Sequence, residues 1–205
     1  MTRTDRKDAI AALHKENIIS AAQELFSEKG FAKTTMDDVA AKAQYSKRTI
    51  YTYFESKEEI YNYFLVNGLN YLKDKLGEIL DKQSDFIEKY KAICQLLLSI
   101  HEEQPSYYEA IINGIKNQNC AENAAAIIDE ITLLIINFAK QGQDNGIILQ
   151  NIDLKKIVLI AFSNITSLLE MSVIKKDYIE NDLGNSRFEF LNFGFTLILN
   201  SLLDV

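Results

Sequence analysis

Three features of the sequence predict an all-α protein. Apolar residues recur at three- and four-residue spacing along most of the chain, only one Pro and eight Gly interrupt 205 residues, and no convincing alternating run is present. With 47% apolar and 25% charged residues, the chain is too apolar for a disordered protein. Its length allows it to bury roughly 70% of its unfolded surface. The expected architecture is a three-helix helix-turn-helix module over residues 1–55, followed by a larger helical domain over 56–205, with about nine helices in all.

The first helix is read from Ile10, Leu13, Ile18, Ala22, Leu25 and Phe26, with Gly30 as its C-terminal cap. Thr35 and Asp38 have capping-box spacing and open a short helix carrying Met36, Val39, Ala40 and Ala43. Gln44 and Tyr45 leave only a tight turn before Ser46, whose hydroxyl can cap a helix over Lys47 to Tyr53. Ser56 with Glu59 opens a long helix through Ile60, Phe64, Leu69, Leu72, Leu76 and Leu80. Phe86, Tyr90, Ile93, Leu97 and Ile100 mark the next, which Pro105 separates from a helix capped by Ser106 and Glu109. After a turn at 117–119, Ile127, Ile131, Leu134, Ile135 and Phe138 define a helix ending near Gly142. Asp153 caps another, running through Ile157, Ile165, Leu169 and Val173. The stretch 177–184 reads as a link, and Ser186 with Glu189 opens a last helix running close to Val205. Residues 146–149 are the one strand-like patch and are expected as a loop tucked against the core.

Charge divides the chain in two. Residues 1–60 carry ten Lys and Arg against ten Asp and Glu, whereas 61–205 carry 12 against 19, so the net charge of −7 lies in the second part. A neutral module with its cations on one face can still hold phosphate, so an acidic total does not exclude a nucleic-acid partner. In the short helix after Ser46, Ile50 and Phe54 are assigned to the core, which leaves Lys47, Arg48, Thr49, Thr52 and Tyr53 for outer positions. Lys47 and Arg48 can donate to phosphate or to guanine O6 and N7, and the two threonines offer hydroxyls and methyls to base edges. Tyr51 and Tyr53 carry phenols that can reach phosphate oxygens. Lys57, with Ser56 at a helix start, and Thr35 one helix earlier are candidate phosphate clamps.

Three segments carry a family likeness: IISAAQELFSEKGF over 18–31, TTMDDVAAKA over 34–43 and YSKRTIYTYFESKEEI over 45–60. In that order and spacing they resemble the TetR family of bacterial transcriptional regulators. The resemblance implies a homodimer on palindromic double-stranded operator DNA, usually a repressor released by a small ligand. It also implies that Thr35 is a phosphate-contacting cap, that Lys47, Arg48 and Thr49 face the groove, and that Tyr51, Tyr53 and Lys57 contact the backbone above Phe54. The family usually has Gly followed by Val or Ile where this chain has Gln44-Tyr45. Gln44 is therefore expected at positive φ. Tyr45 either fills the aliphatic position or turns toward DNA. Together with Ser46 and Thr52, these residues make up the expected DNA-binding surface.

The remainder must be read from periodicity. Phe188, Leu191, Phe195, Ile198 and Leu202 form a stripe on the last helix, and with Ile165, Leu168 and Leu169 they are expected to build a four-helix seam between two copies. Tyr63, Asn67, Tyr71, His101, Tyr107, Tyr108, Asn137, Asn164 and Glu170 are polar or aromatic groups on apolar helices, a mixture suited to an unidentified small-molecule effector. For each one taken singly, a boundary position or a satisfied helix contact is the stronger reading. No catalytic or metal-binding motif and no cofactor loop is found, so an enzyme is not expected. Cys94 and Cys120 read as free buried thiols. No apolar run approaches signal or membrane-spanning length, and a cytoplasmic protein without a membrane partner is expected. The competing reading is a helical ligand-sensing or protein-interaction module without sequence-specific DNA binding.

Overall fold

The computed structural model describes residues 3–116 and 121–203, and among them ten helices and no strand. They are α1 (Arg3–Lys29), α2 (Met36–Ala43), α3 (Lys47–Tyr53), α4 (Lys57–Leu80), α5 (Phe86–Glu103), α6 (Pro105–Lys116), α7 (Glu122–Asp144), α8 (Leu154–Ile174), α9 (Lys176–Asn181) and α10 (Arg187–Asn200). The all-α expectation holds. The tenth helix is α9, in the stretch read as a link, where Ile179 is buried and anchors a single short helical segment.

Most starts follow the local chemistry. Thr35 and Asp38 form a reciprocal capping box, as do Ser186 and Glu189, while Ser46 accepts from Thr49 N–H and Asp153 from Lys155 N–H. The exception is α6, which starts two residues early because Pro105 supplies its first turn: the Tyr108 N–H bonds to Gln104 O at 3.0 Å. Ser106 is thereby freed from capping and its hydroxyl meets that of Ser27 on α1. The turn expected at 117–119 and Cys120 lie outside the described residues, and α10 ends at Asn200.

The chain forms two compact units. The first comprises Met1–Asn70 with Gln104–Ala126, the second Tyr71–Glu103 with Ile127–Val205. In the first, Ile18, Ala22 and Phe26 of α1 pack with Val39, Ala40, Ile50, Phe54, Ile60 and Phe64, all buried. Tyr107 of α6 stacks on Phe64 with ring centroids 4.3 Å apart, lying so close over Gly68 that a Cβ there would sit 2.9 Å from its ring. The α2–α3 turn is equally specific. Gln44 adopts φ 59°, ψ 35°, and Tyr45 N–H bonds back to Ala40 O at 3.0 Å, closing the helix end as glycine ordinarily does. A side chain in this left-handed region carries a steric cost, so Gln44→Gly is expected to stabilise the protein by about 0.5–1 kcal/mol, read from the midpoint of urea unfolding.

The second unit is built on Leu72, Leu76, Ile93, Leu97, Phe138, Ile157, Leu169, Leu191 and Phe195. Tyr90 donates its hydroxyl to Phe195 O at 3.1 Å, tying α5 to α10. Residues 146–149 do form a loop against this core, with Ile148 buried, bridged to Leu203, and Leu149 N–H bonded to Leu202 O at 2.9 Å. Cys94 is buried and free, and desolvation pushes its thiol up to about 12, which leaves it an apolar packing group. α8 is long and apolar enough by composition to cross a membrane, with mean hydropathy 1.9. One of its faces, Ile157, Ile165 and Leu169, is buried in the second unit.

Candidate nucleic-acid interface

Buried Ile50 and Phe54 fix the inner side of α3, and the residues left on its outer side are Lys47, Arg48, Tyr51 and Thr52. Positions i, i+1, i+4 and i+5 share one helical face, so two cations, a phenol and a hydroxyl project together. Thr52 Oγ1 donates to Arg48 O at 3.0 Å, which uses its proton and leaves the oxygen able to accept. Thr49 is half-buried and its hydroxyl meets that of Ser46 at 2.7 Å, within the helix cap. Tyr53 is half-buried, its ring 5.7 Å from that of His14. Gln44 and Ser46 are exposed beside this face.

Tyr45 takes neither course left open by the sequence. Its hydroxyl bonds to His14 Nδ1 at 2.7 Å and to Asn17 Nδ2 at 3.2 Å, and its ring meets His14 edge-on, so it pins the turn onto α1. Two expected phosphate clamps are engaged within the protein. Lys57 Nζ donates to the carbonyls of Phe31, Ala32 and Thr34 at 3.0, 3.4 and 3.0 Å and lies 4.6 Å from the Phe31 ring centre. Thr35 donates both its N–H, at 2.8 Å, and its hydroxyl, at 2.6 Å, to Asp38, which also pairs with Lys29 at 2.7 Å. Lys29 first, then Thr35, lower the Asp38 carboxyl to about 2. A depressed carboxyl stabilises the fold fully above the ordinary 3.8, so this cap is lost only as pH falls through about 2.

The residues expected around an effector fall in both units. Tyr63, Asn67, Tyr107 and Tyr108 belong to the first unit, and Tyr71, His101, Asn137, Asn164 and Glu170 to the second. Tyr63, Asn67, Asn137, Asn164 and Glu170 are exposed, while Tyr108 is buried. His101 Nδ1 lies 3.3 Å from Arg187, whose guanidinium also holds Glu102 and Ser172. Burial first, and then the Arg187 charge, keep the His101 imidazole below its ordinary 6.5. A groove of about 440 Å³ lies elsewhere, beside Ser20, Gln23, Glu24, Ser27, Glu28 and Ser106.

Most of the residues expected at a dimer seam are covered within their own unit. Ile165, Leu169, Leu191 and Phe195 are buried inside their own unit, and Leu168 is half-buried over Gly194, where a Cβ would overlap it. Ile198 and Leu202 are half-buried, and of the original stripe only Phe188 is exposed. The exposed apolar side chains include Ile160, Met171 and Ile174 of α8 and Phe193 and Leu197 of α10. Missed by the sequence reading were His14, Asn17 and Lys29, which hold the module from α1, and Asp37, which pairs with Lys47 at 2.7 Å.

This outward α3, seated on two supporting helices, has the arrangement of a helix-turn-helix. Residues 18–64 match the family model described as bacterial regulatory proteins, tetR family. The chain is 32% identical over 94 residues to the biofilm operon icaADBC HTH-type negative transcriptional regulator IcaR of Staphylococcus epidermidis, and that match covers 46% of this chain and 51% of IcaR. It is 29% identical over 134 residues to the HTH-type transcriptional regulator YhgD of Bacillus subtilis, covering 65% and 69% of the two chains. The chain thus spans about half the length of IcaR. The solved structure of the MbdR regulator from Azoarcus sp. CIB shares the fold, with TM-score 0.72 at 19% identity over 93% of this chain and all of that one. The likeness to the TetR family thus covers residues 18–64 by the family model and just under half of the chain by IcaR.

Proposed function

We propose that the protein is a ligand-responsive repressor that binds palindromic operator DNA as a homodimer, with α3 as its recognition helix. The observation that carries this reading is the shared outer face of Lys47, Arg48, Tyr51 and Thr52 above buried Ile50 and Phe54. One such helix covers only a few base pairs, so a second copy in two-fold relation is needed for a site of useful affinity. The uncovered stripe of Ile160, Met171, Ile174, Phe193 and Leu197 supports that two-fold partner, with the small Ser163 and Ser167 between the large residues of α8. IcaR is by its description a negative regulator, which favours repression.

An effector response is supported by α4, one continuous 24-residue helix whose residues through Asn70 belong to the DNA-reading unit and whose remainder belongs to the other. A ligand that favours one position of this helix would shift operator affinity by its differential affinity for the two states. The test of the whole reading is selection from a random duplex library, which should enrich a palindrome. Arg48→Ala should then cost about 1–3 kcal/mol of binding to the selected duplex while the dimer persists. If Lys47→Ala and Arg48→Ala both bind it as the wild type does, α3 is not the reading helix.

A further inference from the structure

The first turn of α2 carries two carboxylates, close to where the leading residues of α3 would meet a duplex. They differ in their commitments. Asp38 closes the capping box and pairs with Lys29. Asp37 is open to solvent, and its Oδ1 accepts from Lys47 Nζ at 2.7 Å, joining α2 to the first residue of α3. Lys47 therefore approaches DNA already paired, whereas Arg48, its neighbour, has no carboxylate partner among the described residues.

That difference matters because wrong and right duplexes are held by different forces. Binding to an arbitrary sequence is almost wholly phosphate neutralisation, to which each free cation adds. A cation already held by a carboxylate adds little until a better-placed acceptor displaces it. An exposed pair of this kind is weak enough to open. A base edge in correct register, such as guanine O6 and N7, can open it. A backbone phosphate met at random competes less well.

We propose that Asp37 is a specificity-determining residue of the DNA-reading surface, acting by holding Lys47 until the correct base edge replaces it. The inference rests on α3 being the recognition helix. It concerns the ratio of specific to non-specific binding, a quantity distinct from affinity alone.

The experiment compares wild type, Asp37→Asn, Lys47→Ala and the double variant on two duplexes. One is the duplex selected by the wild type, the other a scrambled duplex of equal length, each titrated by fluorescence anisotropy from about 50 to 300 mM KCl. Asp37→Asn should tighten binding to the scrambled duplex about eightfold near 0.1 M salt and steepen its log–log salt dependence by about 0.9, the contribution of one further phosphate. The selected duplex should gain less than about threefold, so discrimination falls. In the Lys47→Ala background, Asp37→Asn should move the scrambled duplex by less than about twofold. Equal gains on both duplexes, an unchanged salt slope, or a full effect persisting without Lys47 would each overturn the role of Asp37. A wild type that enriches no sequence at all overturns the recognition-helix reading itself, a result distinguishable because it precedes any comparison of variants.

Discussion

Leu197→Asp should convert the proposed dimer into a monomer of about 23 kDa and weaken binding to the selected duplex by about 10²–10⁴-fold. Leu197 is 60% exposed and Phe193, one turn earlier, 70%, although both lie on a helix whose opposite side is fully packed. Ile160 at 58% and Ile174 at 70% extend the same uncovered surface onto α8. Burying side chains of this size stabilises an assembly by about 1.5–3 kcal/mol each, and two-fold symmetry counts every residue twice. An aspartate in the seam reverses that term and buries two unpaired charges, at about 3–5 kcal/mol for each. Because Leu197 takes no part in the core of its own unit, helicity and thermal unfolding of the monomer should remain near wild type. Leu191→Asp is the contrasting variant: Leu191 is buried within the unit, so that change should unfold it. Sedimentation of Leu197→Asp at micromolar concentration decides the matter, and a persistent mass of twice the monomer would remove this face from the interface.

The choice of face on α10 shows where sequence reasoning reaches its limit. Phe188, Phe190, Leu191, Phe193, Phe195, Leu197, Ile198 and Leu199 leave hardly any polar side to the helix, so a 3,4 stripe can be drawn on more than one flank. Gly194 is the residue that settles it, because Leu168 occupies the space its side chain would take, and Leu191 and Phe195 turn inward with it. Capping is the opposite case. Thr35, Ser46, Asp153 and Ser186 were legible because a cap is satisfied within three residues of its own position. Gln44 at positive φ was legible only through the family likeness, since the family usually has Gly at that position. Partners distant in sequence were not. Nothing local joins His14 to Tyr45, 31 residues on, or Asp37 to Lys47, and the separation of 26 positions from Phe31 to Lys57 hid the change in that lysine's role. Motif logic assigns Lys57 to phosphate because it sits at a helix start, whereas the folded chain brings three carbonyls there first.

Lys57→Met is accordingly expected to act on the fold before it acts on DNA. The ammonium holds the carbonyls of Phe31, Ala32 and Thr34, which leave α1 and lead into α2, and it lies against the Phe31 ring. Methionine keeps the stem's packing but withdraws every donor. Part-buried carbonyls then lose charge-assisted bonds, and the expected loss of stability is about 2–3 kcal/mol, seen as a lower urea midpoint. Lys57→Arg should recover only part of it, since a planar fork cannot converge on three acceptors as an ammonium does. Operator affinity should fall about tenfold through loosened placement of α2 beneath α3, while the salt slope stays at its wild-type value because no phosphate contact is removed. A phosphate clamp would give the reverse pattern, with unchanged stability and a slope shallower by about 0.9. The two measurements together assign Lys57 either to the lock between α1 and α4 or to the surface that meets DNA, and the bonds it makes in the structure predict the lock.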